Sequence, residues 1–152
     1  MTLKKAIMTT FSTTRAFAAS PAVVFAAIKD ADRLARWWGP DGFSNRFDVF
    51  EFKTGGRWVF DMIGPDGHVY PNESVFTHIE PDHQVVIEHV CLPYFQLSIT
   101  LEPTLAGTLL RWEQTFTDAA VAQAIRHIVE PSNEQNLDRL GVELGLSEAG
   151  VV

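Results

Sequence analysis

The spacing of apolar positions divides the chain into a mixed start, a long strand-like middle and a helical end. Residues 10–18 are rich in β-branched and aromatic side chains, which predicts a first strand. Ser20-Pro21 predicts a helix start, because Ser caps helices and Pro suits the first helical position. One short helix is predicted over 22–28, and a second over 31–38 is ended by Gly39-Pro40.

From Phe43 onward the apolar period becomes two, which predicts β-strands. Turns rich in Gly, Pro and Asp separate them, so consecutive strands are expected to pair antiparallel. The apolar positions switch sides at Val49-Phe50, which predicts a bulge at that point. After a strand around Phe47, further strands are predicted over 58–63, 69–79, 85–92, 95–102 and through Leu110, Trp112 and Phe116.

The end of the chain returns to a helical period. Asp118 is the predicted cap of a helix over 119–130, and Pro131 is expected to interrupt it. Ser132 to Gln135 matches a capping box for a last helix. The order of elements predicts an α+β fold in which a curved antiparallel sheet of about seven strands wraps a long C-terminal helix. We expect one domain over 1–152, with its core at about 10–146 and a cavity between sheet and helix.

Composition narrows the classes of partner. The net charge is −7 and no run of Lys or Arg occurs, which argues against nucleic acid and against an anionic membrane. The single cysteine, Cys91, excludes an internal disulfide and favours a reducing, cytoplasmic location. No apolar stretch approaches the roughly 18 residues of a membrane helix, and Met1 to Thr10 lacks the apolar block of a signal peptide.

The sequence lacks the motifs of several kinds of metal site and enzyme. The five histidines show no metal-ligand spacing, and there is no phosphate-binding loop, dinucleotide fingerprint or Gly-x-Ser-x-Gly. We therefore expect no metal and no cofactor. The 11 Phe against 2 Tyr predict a large, mostly dry interior, since Phe needs no hydrogen-bond partner. An acidic, Phe-rich domain of this kind is compatible with a homodimer.

The adjacent pair Trp37-Trp38 is the most distinctive sequence feature. Neighbouring helical residues point about 100° apart, so the two indoles are expected to face different surfaces. One interpretation places one indole in the core and the other at the surface or an interface. The alternative makes the pair a gate at the mouth of the cavity, because large flat side chains cover much area with few rotatable bonds.

Two further segments carry titratable side chains. Tyr70 shares a strand face with Asn72 and Ser74, whereas Glu73 shares the other face with Val69, Val75 and Ile79. These side chains either face solvent or place Glu73 in an apolar pocket, where its pKa would rise. Glu88 and His89 point to opposite faces, so at most one enters the cavity. Glu88 could instead pair with Arg57 or Arg111, and His89 could be a satisfied core or surface residue.

The inward strand faces supply the remaining candidates. Phe60 and Met62 lie on the apolar face of their strand. Gln114 lies between Trp112 and Phe116, and burying an unpaired amide costs about 1–3 kcal/mol. Either water or a ligand reaches Gln114, or that end of the strand is exposed.

Together these motifs resemble the START-like (Bet v 1-like) helix-grip superfamily. Within it, residues 10–146 are similar to the family named after the C-terminal domain of the activator of Hsp90 ATPase. The resemblance implies the helix-grip fold and a cavity, but no particular activity. It is carried by Ser20-Pro21-Ala22-Val23-Val24-Phe25, Trp37-Trp38-Gly39-Pro40, Gly55-Gly56-Arg57-Trp58, Gly64-Pro65-Asp66-Gly67, Ile79-Glu80-Pro81 and Leu137-Asp138-Arg139-Leu140.

The last helix departs from the family pattern. Members often carry Gly-Trp at the positions of Ser132-Asn133, so Asn133 is expected to leave that end of the cavity more open and more polar. Asn136 and Leu137 complete the helical wall opposite the tryptophans.

Three functions follow from these expectations. The first is a non-enzymatic carrier or sensor of a hydrophobic small molecule. The second is a cavity enzyme of the cyclase, dehydratase or hydrolase type, with Glu73, Glu88 or His89 moving protons. The third is a protein-interaction domain, by fold-level analogy with the Hsp90 activator.

Overall fold

The computed structural model describes residues 8–145. Most of the segment used for the signal-peptide expectation, residues 1–10, lies outside that range, and so does residue 146 of the expected core.

Seven strands and three helices make up the described chain. A single strand precedes two short helices, six strands follow, and one long helix ends the order. Their bounds are β1 Thr9–Phe17, α1 Pro21–Lys29, α2 Ala31–Trp37, β2 Ser44–Phe50, β3 Arg57–Ile63, β4 Val69–Glu80, β5 Gln84–His89, β6 Phe95–Pro103, β7 Thr108–Phe116 and α3 Ala119–Glu143.

All seven strands form one antiparallel sheet in the order β1-β7-β6-β5-β4-β3-β2. The first two strands therefore lie at opposite edges, and α1 and α2 carry the chain between those edges. The sheet curves, and α3 packs against its concave side through β1, β7 and α2. The predicted helix-grip fold is confirmed.

The start of α1 is capped where the sequence predicts it, and α2 has a cap that the sequence analysis does not predict. The Ser20 hydroxyl accepts a hydrogen bond from the backbone N–H of Val23 at 3.3 Å, and Pro21 opens α1. Asp30 then ends α1 and caps α2 by accepting from the N–H of Arg33 at 3.2 Å. One residue thus joins the two helices, which fixes the turn between them.

Two bulges reverse the side-chain alternation. The first lies between Phe47 and Val49, one position earlier than predicted. The second, which the sequence does not predict, lies between Phe76 and His78 in β4. Because each bulge adds one residue to its strand, residues three apart face the same side. Ile79 consequently faces inward like Phe76.

The C-terminal helix is continuous, so the predicted interruption at Pro131 is wrong. Proline lacks the N–H that would bond to the carbonyl of His127, yet the helix runs through it. Pro131 is exposed, and apolar residues on both sides of it, including Ala122 and Leu137, pack against the same sheet. Burial on both sides outweighs one missing hydrogen bond. Ser132 lies inside the helix, so the predicted capping box does not form.

The core lies on the concave face of the sheet. Its larger part joins α1 and α2 to β3–β7, with Trp58 and Leu110 fully buried. A smaller cluster of Phe11, Phe116 and Ala122 lies under the start of α3. Within residues 8–145, no helix has both the length and the apolar character needed to cross a membrane.

Candidate ligand-binding cavity

A cavity of about 650 Å³ lies between the concave face of the sheet, the end of α2 and the middle of α3. Aromatic side chains form part of its walls. Trp38, Phe60, Phe95 and Trp112 contribute rings from the end of α2, β3, β6 and β7. The volume falls within the range of about 300–1,000 Å³ that is typical of small-molecule sites.

The two adjacent tryptophans face different surfaces, as the sequence predicts. Trp37 is buried in the core, and its indole N–H donates to the carbonyl oxygen of Ala27 at 3.0 Å. Trp38 is half-buried and lines the cavity. Its ring contacts those of Trp58 and Trp112 at centroid distances of 5.0 and 5.7 Å. One indole therefore stabilises the core while the other forms a cavity wall.

Side chains from β2 and α3 fix the end of α2. A helix leaves its last carbonyl groups without intrahelical partners. Here Asn45 donates to the carbonyls of Ala35 and Trp38, and Asn136 donates to that of Trp37 at 2.8 Å. Arg139 donates to the carbonyl oxygens of Arg36, Trp38, Gly39, Pro40 and Phe43.

An amide pair connects the sheet to α3 across the cavity. The Nδ2 of Asn133 donates to the Oε1 of Gln114 at 3.1 Å, and both side chains line the cavity. This contact satisfies one half of the Gln114 amide. Asn133 and Gln114 give this end of the cavity the polar character that the sequence predicts.

His89 forms a polar site on the opposite wall. His89 is 6% exposed, and its ring stacks on the ring of Phe95 with 4.4 Å between the centroids. The Nδ1–H donates to the carbonyl oxygen of Pro93 at 2.7 Å. The Nε2 lies 2.8 Å from the Asn72 amide oxygen and 3.4 Å from the sulfur of Cys91.

Burial favours the neutral form of this imidazole. Desolvation lowers the pKa of His89 below its ordinary value of 6.5, although hydrogen bonds to the backbone of Pro93 and Cys91 act in the opposite direction. The Asn72 amide presents its oxygen to the ring because its Nδ2 donates to the carbonyl oxygen of Tyr70 at 2.9 Å. An imidazolium donates from both nitrogens.

Most of the residues predicted for the site do line the cavity. They come from the end of α2, from three strands and from α3, and they surround one common space. These residues are Trp38, Phe60, Met62, Tyr70, Trp112, Gln114, Asn133 and Asn136.

Three predicted residues lie in the core instead. Trp37 is 1% exposed, Phe116 belongs to the smaller cluster, and Leu137 is fully buried. None of the three lines the cavity. Each was assigned to the inward side correctly, but the inward side includes both packed core and cavity wall. Sequence spacing does not separate the two.

Glu73 and Glu88 lie on the outer face, so their predicted place in the cavity is wrong. Glu73 pairs with Arg57 at 3.3 Å, and its side chain is 46% exposed. Glu88 neighbours Val75 and Gln96 on the outer side. Nor does Glu88 form the alternative ion pair, since Arg57 pairs with Glu73 and Arg111 pairs with Glu102.

The inner face of β4 is the part of the site that the sequence reading missed. Asn72 and Ser74 line the cavity together with Tyr70. Ile79 had made the Glu73 face look apolar, but the bulge after Phe76 places Ile79 on the inner side. The cross-strand neighbour of Ser74 is His89, so the polar group on this wall extends over two strands.

The arrangement of sheet, helix and cavity defines a helix-grip protein. The chain belongs to the family described as Activator of Hsp90 ATPase homolog 1-like protein, whose sequence model matches residues 18–145. No curated protein matches the chain with a significant score.

Solved structures of bacterial proteins share the fold. A protein from Arthrobacter aurescens, solved in solution, superposes with a TM-score of 0.83 at 24% identity, covering 93% of this chain and 92% of its own. A crystal structure from Nitrosomonas europaea gives 0.81 at 16% identity, with 90% and 94% covered. A family member from Silicibacter pomeroyi gives 0.74 at 24% identity, with 91% and 99% covered. Identities this low establish the fold alone.

Proposed function

We propose that the protein binds a hydrophobic small molecule in this cavity and acts as a carrier or sensor. The observation that carries the proposal is the cavity itself, about 650 Å³ with aromatic side chains in its walls. Hydrogen bonds from Asn45, Asn136 and Arg139 hold the Trp38 wall in place. A wall that is already ordered loses little conformational entropy when a ligand binds, which favours affinity.

The enzymatic alternative has lost two of its three candidate residues. Glu73 and Glu88 face away from the cavity, which leaves His89. The neighbouring thiol of Cys91 is not among the residues that line the cavity. General acid–base chemistry usually needs a group within hydrogen-bond reach of each proton that moves. The other titratable side chains that line the cavity are His68 and Tyr70, which are both exposed, and among residues 8–145 no carboxylate lines it. Binding without chemistry is therefore the better supported function.

The interaction-domain alternative rests on the family description alone. A docking surface for a protein partner is commonly a broad exposed apolar patch. The outer sheet face instead carries ion pairs, Arg57 with Glu73 and Arg111 with Glu102. The cavity is therefore favoured over the sheet as the functional surface.

A titration with the neutral dye N-phenyl-1-naphthylamine tests the proposal, since its emission rises in apolar surroundings. Asn133→Trp should fill part of the cavity and weaken binding about tenfold or more, which corresponds to 1.4 kcal/mol. Gln123→Trp adds the same side chain at an exposed position of α3 and should leave the affinity unchanged. Absence of binding to the unaltered protein, or equal weakening by both variants, would contradict the proposal.

Native mass spectrometry complements the titration. Protein purified from its own host should carry a co-purifying small molecule, and Asn133→Trp should carry less of it. We also propose a reducing, cytoplasmic setting, because Cys91 is the single thiol. The same spectra should then show Cys91 reduced, and a stable mixed disulfide on that residue would argue against this location.

A further inference from the structure

Within residues 8–145, no side chain with a permanent charge (Lys, Arg, Asp or Glu) lines the cavity, and its two imidazoles belong to the exposed His68 and the buried His89. Arg139, which lies close to the Trp38 wall, uses its guanidinium on backbone carbonyls of the chain itself. Burial lowers the pKa of His89 below 6.5, which favours its neutral form at neutral pH. An ionised ligand group would therefore lose its hydration in the cavity without gaining a partner, which is strongly unfavourable.

Three buried side chains nevertheless keep unused hydrogen-bonding capacity. Ser74, Gln114 and Asn136 are 2%, 9% and 6% exposed, and all three line the cavity. Within the described residues, the Ser74 hydroxyl forms no side-chain hydrogen bond. Gln114 accepts a hydrogen bond through its Oε1, and Asn136 donates one through its Nδ2. Within the described residues, the Nε2 of Gln114 and the Oδ1 of Asn136 have no protein partner.

These atoms differ from polar atoms that are sealed inside the protein. The fully enclosed, unpaired side-chain atoms among residues 8–145 belong to Asn45, Trp58 and Trp112. Ser74, Gln114 and Asn136 are not among them, so their free atoms retain contact with the cavity space. Buried polar groups are normally hydrogen-bonded, which makes these three atoms sites for a ligand or for water.

The free groups lie on two opposite walls. Ser74 in β4 lies beside His89. Gln114 lies in β7, and Asn136 in α3 follows Asn133 by three residues, which places both on one face of the helix. Three strand spacings separate β4 from β7, which is about 14 Å along the curved sheet and less across its concave face.

We infer that the ligand is an uncharged, flat ring compound with a hydroxyl or carbonyl group at each end. One end would bond to Ser74 on β4, and the other to Gln114 and Asn136. The aromatic faces of Trp38, Phe60 and Trp112 lie between these two polar groups and would contact the rings. The inference rests on the proposed function and adds the ligand's charge and the positions of its polar groups.

A matched series of biphenyls tests it by displacement of the bound dye at neutral pH. The series comprises biphenyl, 4-hydroxybiphenyl, 4,4′-dihydroxybiphenyl and biphenyl-4-carboxylate, which share one scaffold. Affinity should rise about fivefold with each hydroxyl group, the usual effect of one hydrogen bond. The carboxylate should bind at least about tenfold more weakly than 4-hydroxybiphenyl.

Variants connect each hydroxyl group to its wall. Ser74→Ala and Gln114→Leu should each remove about fivefold from the affinity of the diol and change that of biphenyl by less than about twofold. Glu88→Gln on the outer face should leave all four affinities unchanged. The variants are compared only after their folding has been verified by circular dichroism.

The possible failures are distinguishable. If the dye and all four biphenyls fail to bind, the proposed function itself is wrong. If the dye binds but the carboxylate competes as well as the phenols, the inference of an uncharged ligand is wrong. If biphenyl competes as well as the diol, or no biphenyl displaces the dye, the inferred polar ends are wrong.

Discussion

The guanidinium of Arg139 in α3 donates a hydrogen bond to the carbonyl oxygen of Trp38, the cavity-lining residue directly after α2, at 3.1 Å. The same side chain reaches four further carbonyls around it. Desolvation lowers the pKa of Arg139, but a guanidinium remains charged in proteins. A half-buried cation thus ties the cavity wall to the long helix through backbone oxygens, with no carboxylate in the contact.

Arg139→Met should therefore destabilise the fold and loosen the Trp38 wall. The expected loss in free energy of unfolding is about 2–4 kcal/mol, because several buried carbonyls lose their donor at once. Arg139→Lys should recover part of the lost free energy, because a single ammonium group reaches fewer of the five carbonyl oxygens than a guanidinium does. Urea denaturation measures the change. Arg57→Met on the exposed sheet face is the control, and a similar loss there would count against the assigned role of Arg139.

The sequence predicted the fold well because the fold depends on local signals. The period-two segments, the caps at Ser20 and Asp118 and the Gly-Pro end of α2 all appear where expected. The error at Pro131 has a tertiary cause. A proline is a strong local signal against helix, and only packing on both sides of it overrides that signal.

The site was harder to predict because it depends on which side of a strand faces inward. In β4 the bulge after Phe76 exchanges the inward and outward sides of the strand, and no residue in the segment predicts this bulge. Counting Ile79 with Val69 and Val75 made the Glu73 face look buried. The polar face of Asn72 and Ser74 is the inward one, and both side chains line the cavity.

Glu143→Gln tests the link between α2 and α3. Glu143 accepts hydrogen bonds from Arg36 and Arg33 at 2.9 Å, and these bonds lower its pKa below the ordinary value of 4.5. Stability from this carboxylate is present above pH 4.5 and is lost as the pH falls through its lowered pKa. The variant should lose about 1 kcal/mol at neutral pH and nothing in strong acid. An equal loss at both pH values would refute the electrostatic explanation.

His89 should also make stability depend on pH, but in a higher pH range than Glu143. Its folded-state pKa is lowered, so the unfolded chain binds more protons below the ordinary value of 6.5. The stabilising effect is therefore complete above that pH and declines as the pH falls through 6.5 toward the lowered value. Thermal unfolding of the native protein should show this decline between about pH 7 and pH 5, and His89→Gln should flatten it. A titration of the His89 ring by NMR with a midpoint above 6.5 would contradict the prediction.

The two halves of α3 should differ in local stability because they differ in burial. Before Pro131 the helix buries Ala122, whereas after it Asn136, Leu137, Leu140 and Gly141 are buried. Pro131 also removes one hydrogen bond at the junction. Hydrogen exchange should therefore be at least about tenfold faster over residues 119–130 than over 132–143, since local opening follows buried contacts. Pro131→Ala restores the missing N–H and should narrow that difference by slowing exchange in the first half. Uniform protection along the whole helix in the unaltered protein would show that the proline junction has no energetic effect.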